Sequence, residues 1–249
     1  LALLKLTVPI NPSKSYDIRQ IIEEIVDFGK YLEVSTEYAG NIVTCFARLN
    51  GRSIGIIGNQ PKNLAGCLDM NSSNKASRFI RFCDAFNIPI ITLVDTPGYI
   101  PSIYQEHGSI IRHGAKLFYA YSEATVPKIT VVLRKAYGGA YIAMCSKHIG
   151  CDMVFAWPTA EISVMEPEGA ANILFKNEIE TSNNPHEMRQ KLVEKYKANY
   201  LSPYYIASKG YLDDVIAPKE TKVILASSLE MLISKHETLP NKKHGNIPL

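Results

Sequence analysis

Two short apolar runs constrain the architecture of this chain more than any other feature of its sequence. Ile90-Ile91-Thr92-Leu93-Val94 and Ile129–Leu133 are each the length of a strand and show almost no alternation of apolar and polar residues. Strands of that kind are covered on both faces, as in parallel sheets flanked by helices. The first run ends in Asp95-Thr96-Pro97-Gly98, and the second reaches Gly138-Gly139 a few residues on. Strands and helices alternate around them, so the fold class expected is α/β with a largely parallel or mixed sheet.

The flanking segments fit that frame. A helix is expected from Asp17, with Ile18, Ile21, Ile22 and Ile25 on one buried face. Asn41–Leu49 ends in Asn50-Gly51, a strong hairpin signal, and Ser53–Gly58 is the return strand. Asn71-Ser72-Ser73 is placed to cap a helix that turns Phe79, Ile80, Phe82 and Cys83 toward a core and stops near Asn87. Further helices are expected over 109–123, Ala140–Cys145 and Pro167–Phe175, with strands over Met153–Ala156 and Glu161–Met165. The C-terminal part reads as helical over 186–200, 203–208 and 219–236, with Val215-Ile216 as a short strand and an extended tail from Pro240. Residues 1–15 read as a linker arm and 16–249 as one domain. The chain opens on Leu1, so it is expected to begin inside a longer protein.

Composition narrows the function classes. Net charge is only +3, too small an excess for a surface that tracks phosphates, and nucleic acid is not an expected partner. No apolar run approaches the ~20 residues of a membrane helix, and Leu1–Leu6 is too short for a signal sequence. Five cysteines form no CxxC pair, which reads as a reduced intracellular chain without a zinc site.

The stretch Ile129–Cys145, ITVVLRKAYGGAYIAMC, carries the most chemistry. A buried strand runs into paired glycines, where backbone can approach a ligand because no Cβ intervenes. The first amides of the following helix, at Gly139 and Ala140, have no intrahelical acceptor and sit at the positive end of its dipole. Two such amides aimed at one point form an oxyanion hole; a close-packed strand-to-helix turn with nothing bound accounts for the same residues. The elbow holds Ala140 where a serine hydrolase places its nucleophile, and no P-loop, dinucleotide fingerprint or H-E-x-x-H occurs. In Asp95–Gly114, Gln105, Glu106, His107, Arg112 and His113 could serve as acid, base or anion clamp, or simply face solvent. Asp95 suits a turn cap as well as a catalytic role. Trp157 reads as packing, and Tyr196, Tyr200, Tyr204, Tyr205 and Tyr211 as interface or helical packing.

Taken together, Asn59-Gln60-Pro61, 66–98, 110–144, FAWPTAEISVM (155–165) and KKHGNIPL (242–249) resemble the C-terminal half of the carboxyltransferase β subunit of biotin-dependent acyl-CoA carboxylases. YGGAYIAMCSKHIG (137–150) and EGAANILFKNEI (168–179) are similar to the α subunits of methylmalonyl-CoA decarboxylases and to transcarboxylases of the same family. The resemblance implies a crotonase-type fold of ββα units with a helical extension. It also implies biotin on a separate carrier, an acyl-CoA substrate, a second N-terminal half that holds the acyl-CoA, and a dimer-based hexamer. No metal is implied for this chain. The implied compartment is the cytoplasm, or the mitochondrial matrix in a eukaryote.

By the same resemblance, Gly139 and Ala140 supply the two catalytic amides. Gly138, Tyr141, Ile142, Gly98, Gly108 and Glu166 fall at binding-site positions, with Ile142 bordering the acyl pocket. Ser102, Ser109 and Glu166 stand where the family usually has glycine, which raises a degenerate assembly domain as an alternative. Decarboxylation of methylmalonyl-CoA uses the same residues in reverse. A CoA hydratase would need a pair of acidic side chains, and none is evident.

Overall fold

In the computed structural model of the chain, residues 8, 9, 11, 14–241 and 243–248 are described; the Leu1–Leu6 run, Pro12, Lys242 and Leu249 lie outside them. The first helix, α1 (Ile18–Ile25), starts where the Asp17 side chain accepts from the Arg19 amide, and its four isoleucines are buried. Strands β1 (Tyr31–Glu33), β2 (Ile42–Leu49) and β3 (Arg52–Asn59) follow as an antiparallel set. Leu49 pairs with Arg52, and Asn50 and Gly51 between them both have positive φ, as a two-residue hairpin turn requires.

Helix α2 (Met70–Ala85) leads to β4 (Ile90–Thr96), which pairs parallel with β3. The short α3 (Ile103–His107) and longer α4 (Ile110–Glu123) then return the chain to β5 (Lys128–Tyr137), parallel to β4. After α5 (Gly138–Ala143) come β6 (Met153–Ala156) and β7 (Glu161–Ser163), both parallel to β5 at different points along it. Helices α6 (Pro167–Leu174), α7 (Lys176–Glu180), α8 (Pro185–Tyr196) and α9 (Pro203–Ser208) form a helical extension. Strand β8 (Asp214–Val215) closes the sheet against β6, and α10 (Thr221–Leu232) packs beneath it. Sheet order is β1-β2-β3-β4-β5-β6-β8, with β7 on the far end of β5.

Both apolar runs are covered on two sides, as their composition predicts. Ile90, Val94 and Val132 pack with Phe79, Ile80, Leu117 and Tyr121 of α2 and α4. Ile91, Leu93, Ile129, Val131 and Leu133 face the α1 isoleucines, Trp157, Leu225 and Leu229. The one polar residue in the first run, Thr92, is satisfied by the Tyr121 hydroxyl at 2.8 Å. Trp157 is a core residue whose indole donates to Thr221 Oγ1 at 2.9 Å.

Several expectations are corrected. The cap of α2 is Asp69, two residues ahead of the Asn71-Ser72-Ser73 run; Asp69 accepts from the Ser72 amide and Ser72 returns the bond, a reciprocal capping box. Phe82 is 46% exposed because it lies on the outer side of α2, tilted against Phe46 and Phe86 rather than in the core. The last sheet strand is Asp214–Val215, and β7 stops at Ser163.

Asp95 is a structural anchor. The β4–β5 pairing joins Val94 to Val132 but Thr96 to Ala136, so β5 bulges beside Asp95. There Arg134 Nε donates to Asp95 Oδ2 at 3.0 Å, with both side chains almost fully buried. Oδ1 accepts the Lys135 amide at 3.1 Å. Burial pushes the Asp95 carboxyl up, and Arg134 counters it. Arg134 Nη1 also donates to the carbonyls of Lys14 at 2.8 Å and Asn11 at 3.2 Å, with its guanidinium over the Tyr16 ring. Among the described residues no helix is long and apolar enough to cross a membrane.

Candidate active site

The site is built where β5 becomes α5. Gly138, the first residue of α5, has φ +58°, and a Cβ there would lie 3.0 Å from the Val164 carbonyl oxygen. Both facts call for glycine. Tyr137 precedes the helix in an extended conformation and gives it no side-chain cap. The amides of Gly139 and Ala140, in the first turn, therefore have neither a side-chain cap from that residue nor an i−4 partner within the helix. A Cβ on Gly139 would meet nothing within 4 Å, so the backbone there stands open to its surroundings.

Those surroundings are a cavity of about 610 Å³. Gly138, Gly139, Tyr141 and Ile142 form one side, and Ile162, Ser163 and Val164 a second. The far wall is aromatic: Tyr196, Tyr200, Tyr205 and Tyr211, with His148 and Leu174. Its rings brace one another, with Tyr196 and Tyr200 at 5.2 Å between centroids and His148 stacked on Tyr211 at 4.6 Å. Polar ties hold the wall in place. Ser163 Oγ lies 3.1 Å from the Tyr196 hydroxyl, and Ser146 Oγ lies 3.2 Å from His148 Nδ1. Beside the turn, the Tyr137 hydroxyl donates to the Glu161 carboxylate. Burial, and then that bond, push the Tyr137 pKa well above its ordinary value, so it remains a neutral donor. Burial also raises Tyr141.

The sequence-predicted residues divide into two groups. Gly138, Gly139, Tyr141 and Ile142 come together at the cavity, with Ala140 buried behind them. Gly98, Gly108 and Glu166 do not line it. Gly98 follows β4 with φ +149° and accepts the Leu68 amide at 3.0 Å. Gly108 sits in a tight spot, where a Cβ would fall 2.3 Å from the Met70 sulfur, a flexible side-chain end that must move, and 3.0 Å from the Tyr104 carbonyl oxygen. Glu166 is exposed, with φ −58° that any residue adopts, and its carbonyl accepts the Ala170 amide. Of the two serines, Ser102 caps α3 at φ −151°, whereas Ser109 occupies the left-handed region at φ +67°. Gln105 is committed to the Met70 amide, Glu106, His107 and Arg112 face solvent, and His113 bonds Asn74 at 2.9 Å. None of these five lines the cavity.

Sequence reasoning missed the cavity role of Tyr196, Tyr200, Tyr205 and Tyr211. Tyr204, 60% exposed, stays outside. Their spacing suits a packed helical face equally well; no signal short of the fold places them opposite Gly139. The Tyr137–Glu161 bond was missed as well.

The sequence profile of the carboxyl transferase domain matches residues 3–247. The 12S subunit of methylmalonyl-CoA carboxyltransferase from Propionibacterium freudenreichii subsp. shermanii is 57% identical over 241 residues, which is 97% of this chain and 46% of that protein. The methylmalonyl-CoA decarboxylase α subunit of Propionigenium modestum is 54% identical over 97% of this chain and 47% of its own length. A solved structure of transcarboxylase 12S, a hexamer with methylmalonyl-coenzyme A and methylmalonic acid bound, superposes with a TM-score of 0.96 at 56% identity, covering 99% of this chain and 47% of that one. The fold is thus crotonase-like, as expected, and the chain spans about half the length of the relatives it matches.

Proposed function

Because the chain belongs to the carboxyl transferase domain family, we propose that it is the C-terminal, biotin-facing half of an enzyme that moves CO2 between carboxybiotin and the α-carbon of a short acyl-CoA, propionyl- or acetyl-CoA. The observation that carries this reading is the opening of Gly138 and Gly139, with Ala140 directly behind them, on a cavity with apolar and aromatic walls. The residues fit biotin. Two first-turn amides suit its ureido oxygen, and Tyr200, Tyr205, Tyr211 and Ile142 offer an apolar bed for its rings. When bound, biotin supplies the transferable carboxyl group.

The chain's own residues do the rest. The Gly139 and Ala140 amides are preorganised donors for an oxygen on which negative charge develops, and such donors act most strongly where water is excluded. Tyr200, Tyr205 and Tyr211 are themselves 39–45% exposed, so that exclusion requires the complementary half over the cavity. No side chain of the cavity is needed as a nucleophile. Ile142 borders the space beside the amides and limits the bulk of the acyl group. Glu166 and Ser102 sit outside the cavity, which favours a working site over a degenerate assembly domain.

Ile103, Tyr104, Ile111, Val164 and Ile173 are all more than two-thirds or close to two-thirds exposed. They are read as the surface that meets the N-terminal half, which would hold the acyl-CoA and complete the site. The working form is accordingly an oligomer, a dimer or a hexamer, served by a biotin carboxyl carrier in the cytoplasm or the mitochondrial matrix. Decarboxylation is the second reading, favoured by the 54% identity to a decarboxylase α subunit. The test is reconstitution with the complementary half and a biotinylated carrier, following carboxyl transfer to propionyl-CoA. Gly139→Pro, which removes one amide donor, should abolish transfer; wild-type rates from that variant would refute the assignment.

A further inference from the structure

The turn that bears the two amides is braced from one side. Tyr137, its last extended residue, pairs in register with Ser163, while Lys135 and Ala136 pair with Glu161 and Ile162. Strand β7 is only three residues long and, among the described residues, pairs with no strand but β5. The Tyr137 ring is buried among Ala170, Tyr196 and Leu201, and its hydroxyl is given to Glu161. Ser163 reaches Tyr196 in the cavity wall, and the Val164 carbonyl closes on Gly138. Apart from the packing of the Tyr137 ring, these contacts join β7 or the residue after it to the end of β5, to the turn or to the cavity wall.

We propose that Glu161 is a positioning residue for carboxyl transfer: by accepting the Tyr137 hydroxyl it fixes the residue ahead of Gly138 and so aims the Gly139 and Ala140 amides. The inference rests on the oxyanion reading of those amides. Peptide-plane directions in the first turn follow the φ/ψ of the residue that leads into it, and Tyr137 has no helix-capping side chain to set them otherwise. β7 is short and the apolar packing fixes the ring but not the direction of its hydroxyl end, so the side-chain bond adds the restraint that ties Tyr137 to β7. Glu161 itself is absent from the cavity lining, so it acts through Tyr137 and not on the ligand.

The test measures kcat and KM for acyl-CoA in the assembled enzyme for Glu161→Ala, Tyr137→Phe, their double variant and Glu161→Gln. Misaimed donors weaken the transition state more than ground-state binding. Glu161→Ala and Tyr137→Phe should each lower kcat about 10- to 30-fold with KM nearly unchanged, since small displacements cost up to about 100-fold. The double variant should fall no further than either single one, because both remove the same bond. Glu161→Gln keeps an acceptor and should recover most of the rate. A kcat within about twofold of wild type in Tyr137→Phe, or multiplicative loss in the double variant, overturns the proposal. Tyr137→Phe keeps the ring packing and decides the matter even where Glu161→Ala fails to assemble. Gly139→Pro run alongside separates the two levels. Its inactivity beside a normal Tyr137→Phe sinks only the positioning role, whereas wild-type activity sinks the oxyanion reading.

Discussion

Gly138 and Val164 meet at the point where the site begins: a side chain on Gly138 would press against the Val164 carbonyl, 3.0 Å from its first carbon. Gly138→Ala therefore combines a left-handed φ with a backbone collision. A non-glycine residue in that region costs about 1–2 kcal/mol, enough to lower Tm by several degrees. Transfer should fall further than stability, because the amides beside it swing. Gly139→Ala provides the contrast. With open space around its Cβ, thermal unfolding should show little change, while the new methyl group raises KM.

Breaking the Asp95–Arg134 pair should be the most damaging of the substitutions considered for stability. Asp95→Asn leaves a buried guanidinium without its counter-charge, an arrangement that typically costs about 3–5 kcal/mol. Urea unfolding should show a large drop in midpoint with little change in slope. Replacing both residues by apolar ones of similar volume should recover part of the loss.

Ser109 is strained where it stands, with φ +67° at the start of α4. Ser109→Gly should raise stability by about 0.5–1 kcal/mol, the left-handed strain released less the entropy that glycine adds to the unfolded chain. A lower denaturation midpoint in this variant would contradict the strain.

Asp27 gives the chain a specific acid sensitivity. Its carboxylate accepts the Gly51 and Asn50 amides at 2.8 and 3.1 Å and lies 3.6 Å from Lys222. These contacts, the Gly51 amide foremost, hold its pKa below the ordinary 3.8. A depressed carboxyl stabilises the fold above 3.8, and that contribution fades as pH falls through the lower folded value. Asp27→Ala should thus be less stable than wild type at pH 7, with the gap narrowing below pH 3.8 in a urea titration.

Much of the framework was readable because local signals and burial agree. The Asn50-Gly51 turn, the α1 isoleucines and the two strand-length runs broken only by Thr92 and Thr130 each carry a local signal that burial then supports. The Gly138-Gly139 turn was legible because paired glycines between a strand and a helix mark where backbone must take a positive φ or meet a neighbour without a Cβ, as Gly138 does. What lay beyond reach depends on distant pairings. Arg134 meets Asp95 only because β5 bulges, and a bulge leaves no mark in residue periodicity. Phe82 carries the hydrophobicity of a core residue but sits one helical step off the buried face. The tyrosine wall needed the folded path of 196–211 to place it across from Gly139.

Arg134 binds carbonyls that precede it by 120 and 123 residues. On a ribosome the segment around Asn11 and Lys14 emerges long before the strand that will hold it, and it has no docking site until β5 is laid beside β4. Attachment of this arm is then a late step, one that reports completion of the sheet's centre. A protease that nicks the chain ahead of Tyr16 would act as a clock for that event, with protection arriving only when β5 is in place.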